Sequence, residues 1–301
     1  MNFNIEKIDN FTGHRDCIYS LAEGTSSNTF FSSGGDGTVV EWNTDSPDLG
    51  KPFVKIHNSS YAMHHDTHIG RLYLANNFEG IHEIDTRTKK EVRSLNLGKV
   101  SFFSIKSHEG NLFVGDLSGI IQVIDKESLK LKKQIKGSEK SARSLAVNTK
   151  SNELAVAFSD HKIRIFDLSS FQLKFELQGH TNSVFALQYT KDGEDLISGS
   201  RDAHLIAWSV NHHYEMIQNV PAHIYAINDI ILLKEENLII TASMDKSIKV
   251  WDEKNLKLLK VIDKARHAGH GTSINKLLWL PEKKRLLSAS DDRSISMWKL
   301  F

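Results

Sequence analysis

Four residues recur in this 301-residue chain at one fixed spacing, and their repetition limits what the chain can fold into. Each set is a histidine followed by a serine or threonine at 18 residues, an aspartate at 22 and a tryptophan at 28. The four sets are His14, Ser32, Asp36 and Trp42; His180, Ser198, Asp202 and Trp208; His223, Thr241, Asp245 and Trp251; and His270, Ser288, Asp292 and Trp298. Because an active site is needed once, a Ser, His and Asp set present four times indicates a structural repeat rather than a hydrolase triad.

The tryptophan position of this repeat can be followed through the rest of the chain. The series is Trp42, Ile84, Ile124, Phe166, Trp208, Trp251 and Trp298. Successive members are 40 to 47 residues apart, close to the length of a four-stranded propeller blade. Each unit has short apolar runs bounded by Gly, Asp and Asn turns, which are typical of strands, and none has sustained helical periodicity. The pattern predicts seven units of four strands.

The last unit has three predicted strands, of which the third covers residues 296–300. Residues 4–9 stand before His14 much as residues 173–177 stand before His180, so we expect the N-terminal strand to complete the seventh unit. The predicted fold is all-β, a single seven-bladed β-propeller domain of four-stranded antiparallel blades over residues 1–301. The expected blades are residues 14–56, 57–97, 98–137, 138–179, 180–222, 223–269, and 270–301 with 1–13.

These units resemble the repeats of the WD-repeat (Trp-Asp repeat) β-propeller family over essentially the whole chain. Three of them begin with Gly-His, as at residues 179–180, and four end with Trp or Trp-Asp, as at residues 251–252. Units two to four lose the His, Ser and Asp pattern: Ser138 stands where His is expected, and Ser118 where Asp is expected. Their blade boundaries are therefore less sharply defined.

The four complete sets are expected to form buried polar relays. An indole N–H, a hydroxyl, an imidazole and a carboxylate can satisfy one another's hydrogen-bonding needs. The family resemblance implies the order Trp to Ser or Thr to His to Asp. Breaking such a chain leaves a buried partner unsatisfied, at about 1 to 3 kcal/mol, so the predicted role of these residues is structural.

The resemblance also implies a docking surface on the face that carries the entrance to the central channel. Two positions per blade point there, five residues after the relay His and one before the relay Asp. In the four complete units these residues are Tyr19, Phe185, Asn228 and Asn275, and Gly35, Arg201, Met244 and Asp291; Phe103, Arg143, Leu117 and Ser159 are added from units three and four. Residues implied at the channel mouth are Cys17, Ser183, Ala226 and Ser273. Aromatic, Met and Arg side chains are enriched among interface anchors.

The predicted function is a non-enzymatic scaffold that binds protein or peptide partners. The main alternative is an enzyme or metal-dependent propeller with ligands in the central channel. The densest set of metal-binding residue types, at 64–68, is expected on an exposed turn, where its side chains would not converge on one ion. We therefore predict no metal and no cofactor.

A weaker alternative is association with nucleic acid through the lysines of residues 126–140. This segment maps to the outermost strand of unit three, where lysines commonly prevent edge-to-edge pairing. It has no interleaved aromatic residues and no second basic tract. The chain's 38 Lys and Arg against 37 Asp and Glu give no global field that would draw it to nucleic acid.

Other features bound the cellular setting. The one cysteine, Cys17, excludes a disulfide within the chain and is typical of a reducing compartment. No window approaches the roughly 18 apolar residues of a membrane span, and the N-terminal residues do not form a signal peptide. We expect a cytoplasmic protein that is monomeric on its own and does not enter a membrane.

Overall fold

The computed structural model describes residues 4–300, which form a seven-bladed β-propeller. Its strands lie in seven antiparallel sheets of four. This confirms the predicted fold class. The residues group into two compact units, which are described in turn; the expected single domain over residues 1–301 stays a prediction.

The first unit contains blades one, two and seven, within residues 4–102 and 260–300, together with residues 246–248. Blade one consists of β2 (Ile18–Glu23), β3 (Thr29–Gly34), β4 (Thr38–Asn43) and β5 (Lys51–Lys55). Blade two consists of β6 (Ser60–Asp66), β7 (Arg71–Asn76), β8 (Gly80–Asp85) and β9 (Lys90–Asn96). Blade seven consists of β26 (Ile274–Leu280), β27 (Arg285–Ser290), β28 (Ser294–Leu300) and β1 (Ile5–Thr12).

The second unit covers residues 103–245 and 249–259. It holds blade three, made of β10 (Phe102–His108), β11 (Asn111–Asp116), β12 (Ile120–Asp125) and β13 (Lys130–Lys136). Blade four is β14 (Ala142–Asn148), β15 (Glu153–Phe158), β16 (Ile163–Asp167) and β17 (Leu173–Leu177). Blade five is β18 (Val184–Tyr189), β19 (Asp195–Ser200), β20 (His204–Ser209) and β21 (Glu215–Pro221). The strands of blade six are β22 (Ile227–Leu233), β23 (Leu238–Ser243), β24 (Ile248–Asp252) and β25 (Leu258–Ile262).

The N-terminal strand completes blade seven, as predicted. β1 pairs antiparallel with β28, from Ile5 opposite Leu300 to Thr12 opposite Ser294. Phe11 of β1 is fully buried, and its ring lies edge-on to Phe30 at 5.0 Å between centroids. The strand thus contributes both backbone hydrogen bonds and core packing to the first unit.

Burial is greatest in the second strand of a blade and least in its outer strand. Every residue of the second strands β15 and β23 is buried, whereas the outer strand β13 buries only Ile135. A strand covered on both faces is expected to read as a nearly continuous apolar run, as residues 153–158 do. The polar residues of β13, by contrast, are exposed to solvent.

Helical structure among residues 4–300 is confined to two short segments, a 3-10 turn at Val210–His212 and α1 at Lys264–His267. Asp263 caps α1 by accepting the backbone N–H of Arg266 at 2.9 Å. This helix lies in the long connection before blade seven, where the repeat spacing widens. No helix in this range has the length and apolar character needed to cross a membrane.

Candidate functional site

The predicted polar relay can be followed atom by atom in blade five. Trp208 Nε1 donates to Ser198 Oγ at 2.9 Å, and Ser198 Oγ lies 2.8 Å from His180 Nε2. His180 Nδ1 lies 3.0 Å from Asp202 Oδ2. Because the indole can only donate, all groups are satisfied when the serine hydroxyl donates to Nε2 and Nδ1–H donates to the carboxylate.

The same three contacts occur in the other three complete sets, at 2.7 to 2.9 Å. In each set the hydroxyl-bearing residue is fully buried and the histidine is at most 8% exposed. The order of contacts is Trp to Ser or Thr to His to Asp throughout, and blade six uses Thr241 in place of serine. Each relay joins the second and third strands of its blade, the turn between them and the loop before the blade.

The relay aspartates also hold the residue that follows the histidine. Asp36, Asp202 and Asp245 accept the backbone N–H of Arg15, Thr181 and Ile224 at 2.9, 2.8 and 3.1 Å respectively. The relay therefore fixes the backbone of an exposed loop as well as the interior of the blade.

These contacts set the ionisation of the relay groups. Burial raises the pKa of Asp36, but the hydrogen bonds from His14 and from the backbone N–H of Arg15 outweigh it and lower that pKa to about 2. The balance of burial against histidine hydrogen bonds likewise holds the pKa values of Asp202 and Asp292 below their usual range. Burial lowers the pKa of His223. The carboxylates are consequently ionised at neutral pH.

Blade four, in which the His, Ser and Asp pattern was expected to be lost, retains the aspartate of that pattern. Ser138, at the histidine position, donates to Asp160 Oδ2 at 2.7 Å, and the two residues are 22 apart as in the complete sets. Arg164 Nη1 also donates to this carboxylate, at 2.8 Å. Val156 and Phe166 replace the hydroxyl and the indole, so the buried half of the relay has become apolar.

Blade three also has a carboxylate in this turn, but it comes from a different position. Ser118 stands at the aspartate position, and Asp116, two residues earlier, accepts the backbone N–H groups of Ser118 and Ile120 at 2.9 and 3.0 Å. Gln122 Nε2 donates to the other oxygen of this carboxylate at 2.9 Å. A carboxylate therefore still organises this turn, although it comes from another position.

The first set of predicted docking residues occupies β-bulges. In the pairing of the first and second strands of a blade, the register skips the residue five after the relay histidine. The skipped residues in the complete units are Tyr19, Phe185, Asn228 and Asn275. A β-bulge leaves one residue unpaired and redirects its side chain. The residue five after the relay histidine therefore differs from its neighbours in the strand, which are paired.

The two predicted sets lie beside each other because of a backbone hydrogen bond. The residue before each relay aspartate donates its N–H to the carbonyl two residues before the bulge, at 2.9 to 3.1 Å. The pairs are Gly35 with Cys17, Arg201 with Ser183, Met244 with Ala226, and Asp291 with Ser273. The residues implied at the channel mouth thus hold the two docking positions of a blade side by side, because their carbonyls accept these hydrogen bonds.

Three predicted docking residues come together in the second unit. The Arg143 guanidinium carbon lies 4.0 Å from the ring centroid of Phe103 and 4.8 Å from that of Phe185. All three are the second residues of the first strands of consecutive blades, and all three side chains are partly exposed. Separations under about 6 Å allow cation–π attraction to both rings.

In the first unit, the predicted residues form two other contacts. The ring of Tyr19 lies 4.6 Å from that of Tyr61, and burial raises the pKa of the Tyr19 hydroxyl. Asn275 Nδ2 donates to Asp291 Oδ1 at 2.7 Å. Tyr61 was missed in the sequence; it is the bulge residue of blade two, and its blade lacks the histidine from which the position is counted.

Two further exposed residues also escaped the sequence analysis. Ile224 and Tyr225, directly after His223, are 79% and 59% exposed. The signal was available in the repeat itself, because the same two positions are Arg-Asp, Thr-Asn and Gly-Thr in the other complete units. They lie beside Met244, which is 55% exposed.

The histidine-rich segment 64–68 differs from its prediction as an exposed turn. Its first three residues belong to β6. His65 Nδ1 lies 2.9 Å from the carbonyl oxygen of Glu23, and its ring packs on Phe31. Across residues 4–300, no group of three or more His, Cys, Asp or Glu side chains is arranged to hold a metal ion.

Lys130, Lys132, Lys133 and Lys136 lie on the outer strand of blade three, and several of them contact neighbouring groups. Lys132 Nζ lies 2.8 Å from Asp125, and Lys136 Nζ lies 3.0 Å from Glu139. Lys133 Nζ lies over the ring of Phe171 at 5.1 Å. The strand therefore presents cations that are partly neutralised by their own surroundings.

Seven four-stranded blades with a repeated Trp, Ser, His and Asp relay define the WD-repeat class of β-propeller. The chain belongs to the WD40 family, described as WD domain, G-beta repeat, whose profile matches residues 5–43, 171–209, 214–252 and 262–299, just over half of the sequence. The matched segments include the four relay tryptophans.

Comparison with known sequences gives partial matches. Nuclear distribution protein nudF 1 of Talaromyces marneffei is 30% identical over 110 residues, which are 36% of this chain and 24% of that protein. Autophagy-related protein 16 of Arabidopsis thaliana is 25% identical over 167 residues, or 55% of this chain and 31% of that protein. Eukaryotic translation initiation factor 3 subunit I of Sclerotinia sclerotiorum is 31% identical over 87 residues, or 29% and 26%. The aligned regions thus span about a quarter to a third of these relatives.

Comparison with solved structures supports the fold. The crystal structure of the WD40 beta propeller domain of Doa1 matches with a TM-score of 0.85 over 98% of this chain and 97% of that chain. The two sequences are 17% identical, so the likeness concerns the fold alone.

Proposed function

We propose that this protein is a non-enzymatic scaffold that binds protein or peptide partners through the blade ends that carry the bulge residues. The observation that carries the proposal is the stacking of Arg143 between Phe103 and Phe185. Arginine and aromatic residues are enriched among the residues that dominate binding energy at interfaces.

The arrangement favours binding because its side chains are already ordered. Immobilising a flexible side chain on binding costs about 0.5 to 1.5 kcal/mol. A guanidinium held between two rings has lost much of that freedom beforehand. The three side chains therefore form an ordered, partly exposed surface on which a partner can pack.

The relay groups support a binding role over catalysis. Each histidine bonds a hydroxyl and a carboxylate inside its blade, and each hydroxyl also accepts from an indole. A nucleophile needs an open position for the substrate beside it, and these hydroxyls are fully buried. We extend the proposal to a cytoplasmic protein, monomeric on its own and without a cofactor.

The test is affinity capture from the native cell with Phe185→Ala plus Arg201→Ala. We expect capture of the main partner to weaken by roughly 30-fold, the effect of losing about 2 kcal/mol at an interface anchor. The melting temperature should change little, because both side chains are at least partly exposed.

The matched control is Lys130→Ala plus Leu131→Ala on β13, which also removes one exposed cation and one exposed apolar side chain. This control should retain the partner. Full capture by the Phe185 and Arg201 variant would move the binding surface elsewhere on the protein.

A further inference from the structure

Ile224, Tyr225 and Met244 form an exposed apolar patch at the start of blade six, which we call the blade-six patch. Their exposed fractions are 79%, 59% and 55%. Large apolar side chains are often exposed singly, but grouped exposure beside polar loops marks interaction surfaces.

Hydrogen bonds hold the three residues next to one another. Met244 N–H donates to the carbonyl of Ala226 at 2.9 Å, and Ser243 Oγ donates to the carbonyl of Tyr225 at 3.3 Å. Asp245 accepts the N–H of Ile224 at 3.1 Å. The patch is therefore built on backbone that the relay through His223 and Asp245 keeps in place.

The apolar character is specific to this blade. In the other complete units the two residues after the relay histidine are Arg15 and Asp16, Thr181 and Asn182, and Gly271 and Thr272. Arg15 and Thr181 also donate to their relay aspartates. The loop geometry accordingly tolerates polar residues, so folding does not require Ile-Tyr here.

A positive charge lies in the turn next to the patch. Ala203 accepts the N–H groups of Ala222 and His223 at 3.0 and 3.1 Å, which brings the turn that contains Arg201 against the loop that leads to Ile224. Arg201 is exposed, and no ion pair joins it to another residue within 4–300.

The neighbouring carboxylates are already engaged. Asp202 receives hydrogen bonds from His180, Thr181 N–H and His204 N–H. Asp245 receives them from His223 and Ile224 N–H. These two carboxylates therefore do not neutralise the Arg201 guanidinium, which can attract an incoming anionic group.

We infer that the blade-six patch and Arg201 bind an acidic peptide segment of a partner protein, in which a bulky apolar side chain packs on Ile224, Tyr225 and Met244 and a nearby carboxylate pairs with Arg201. The inference rests on the proposed function and specifies the chemistry of its partner. A carboxylate fits because a guanidinium recognises it through two parallel hydrogen bonds. The apolar side chain fits because the exposed patch offers hydrophobic contact area.

The experiment selects displayed random 12-residue peptides on the full-length protein. We expect enriched sequences to contain Asp or Glu within a few residues of Leu, Ile, Met or an aromatic residue. Enrichment of basic or purely polar sequences, or no enrichment, would overturn the inference.

A labelled synthetic copy of the leading peptide is then titrated by fluorescence anisotropy. Ile224→Ser should weaken binding at least about tenfold, equal to about 1.4 kcal/mol, and Ile217→Ser, at an isoleucine 48% exposed on β21, should leave it unchanged. Arg201→Glu should weaken binding, and a peptide with Lys in place of its acidic residue should recover affinity for that variant. Equal affinity of Ile224→Ser and the unsubstituted protein contradicts the inference.

Other occupants give different outcomes. If a second copy covers the patch, the unsubstituted protein sediments as a dimer and Ile224→Ser as a monomer, and the inference fails. If cellular capture depends on Phe185 and Arg201 while peptide binding ignores Ile224, the proposed function stands and the peptide site falls. If the Phe185 and Arg201 variant leaves cellular capture unchanged and the Ile224 variant leaves peptide binding unchanged, both the proposed function and the peptide site are wrong.

Discussion

Single relay residues connect the interior of a blade to its surface. Asp202 bonds both His180 and the backbone N–H of Thr181, so one carboxylate stabilises buried and exposed structure together. Losing the histidine leaves Ser198 and the carboxylate with fewer partners. Buried polar groups without partners cost about 1 to 3 kcal/mol each.

His180→Ala should therefore lower the free energy of unfolding by about 1 to 3 kcal/mol, measured by denaturant unfolding. His68→Ala, at an exposed histidine after β6, should change it by less than about 0.5 kcal/mol. Equal stability of the two variants would show that the relay does not stabilise the blade.

The Asp36 carboxylate predicts a pH dependence. Its folded pKa of about 2 lies below the roughly 3.9 of an unfolded aspartate. A lowered folded pKa means that ionised Asp36 stabilises the fold above about pH 4, and that this stabilisation is lost as the pH falls toward 2. Asp36→Asn should thus be less stable than the unsubstituted protein at pH 7, with the difference shrinking between about pH 4 and 2.

Unfolding free energies at several pH values check this, with Asp48→Asn at an exposed position as the control. A difference that stays constant down to pH 2 would mean that the charge of Asp36 contributes nothing.

The sequence predicts the relay residues better than it predicts the contacts among the docking residues. His180 and its partners follow from spacing, because a fixed strand length maps onto fixed offsets. The stacking of Arg143 on Phe103 and Phe185 could not be predicted, since it depends on side chains from three blades. Ile224 could have been found by comparing the repeats at one further position.

The N-terminal strand β1 contributes both strand pairing and core packing to the first unit. It pairs with β28, and Phe11 packs on Phe30 and, at 5.6 Å between ring centroids, on Trp42. Its loss would expose the edge of β28 and open the core of the first unit.

Phe11→Ala should lower the free energy of unfolding by about 3 to 5 kcal/mol, the usual effect of removing a buried phenylalanine. Ile8→Ala on the same strand, at a residue 39% exposed, should have a much smaller effect. Thermal unfolding of both variants tests this, and similar melting temperatures would contradict the packing role of Phe11.

The strand pattern was predictable, but the special positions within strands were not. The N-terminal completion of blade seven follows from the similarity of residues 4–9 and 173–177. The β-bulges at Tyr19 and Phe185 cannot be recognised from the sequence. A single unpaired residue in a strand does not produce a distinct pattern of apolar residues. Blade four was misread because Ser138 replaces histidine while its partner Asp160 stays.

For the molecule as a whole, charge is nearly balanced. A formal charge of +1 gives little general attraction to polyanions, and the outer lysines Lys132 and Lys136 already pair with acidic residues. The charge distribution favours specific docking over electrostatic association.

We accordingly expect no retention on immobilised nucleic acid at about 0.15 M salt, where weak phosphate contacts are largely displaced. The purified protein can be eluted from immobilised nucleic acid with increasing salt, and the Lys132→Glu plus Lys133→Glu variant is the comparison. Retention that this variant abolishes would establish a nucleic-acid surface on β13.

The pairing of β1 with β28 also governs how the protein can be made. Residues 5–12 leave the ribosome before residues 294–300, by an interval on the order of tens of seconds at about 5 to 20 residues per second. During that interval blade seven cannot form, and the first strand has no partner edge. Blade seven can therefore form only after residues 294–300 have emerged, so a nascent chain stalled shortly before residue 294 should need a chaperone to remain soluble.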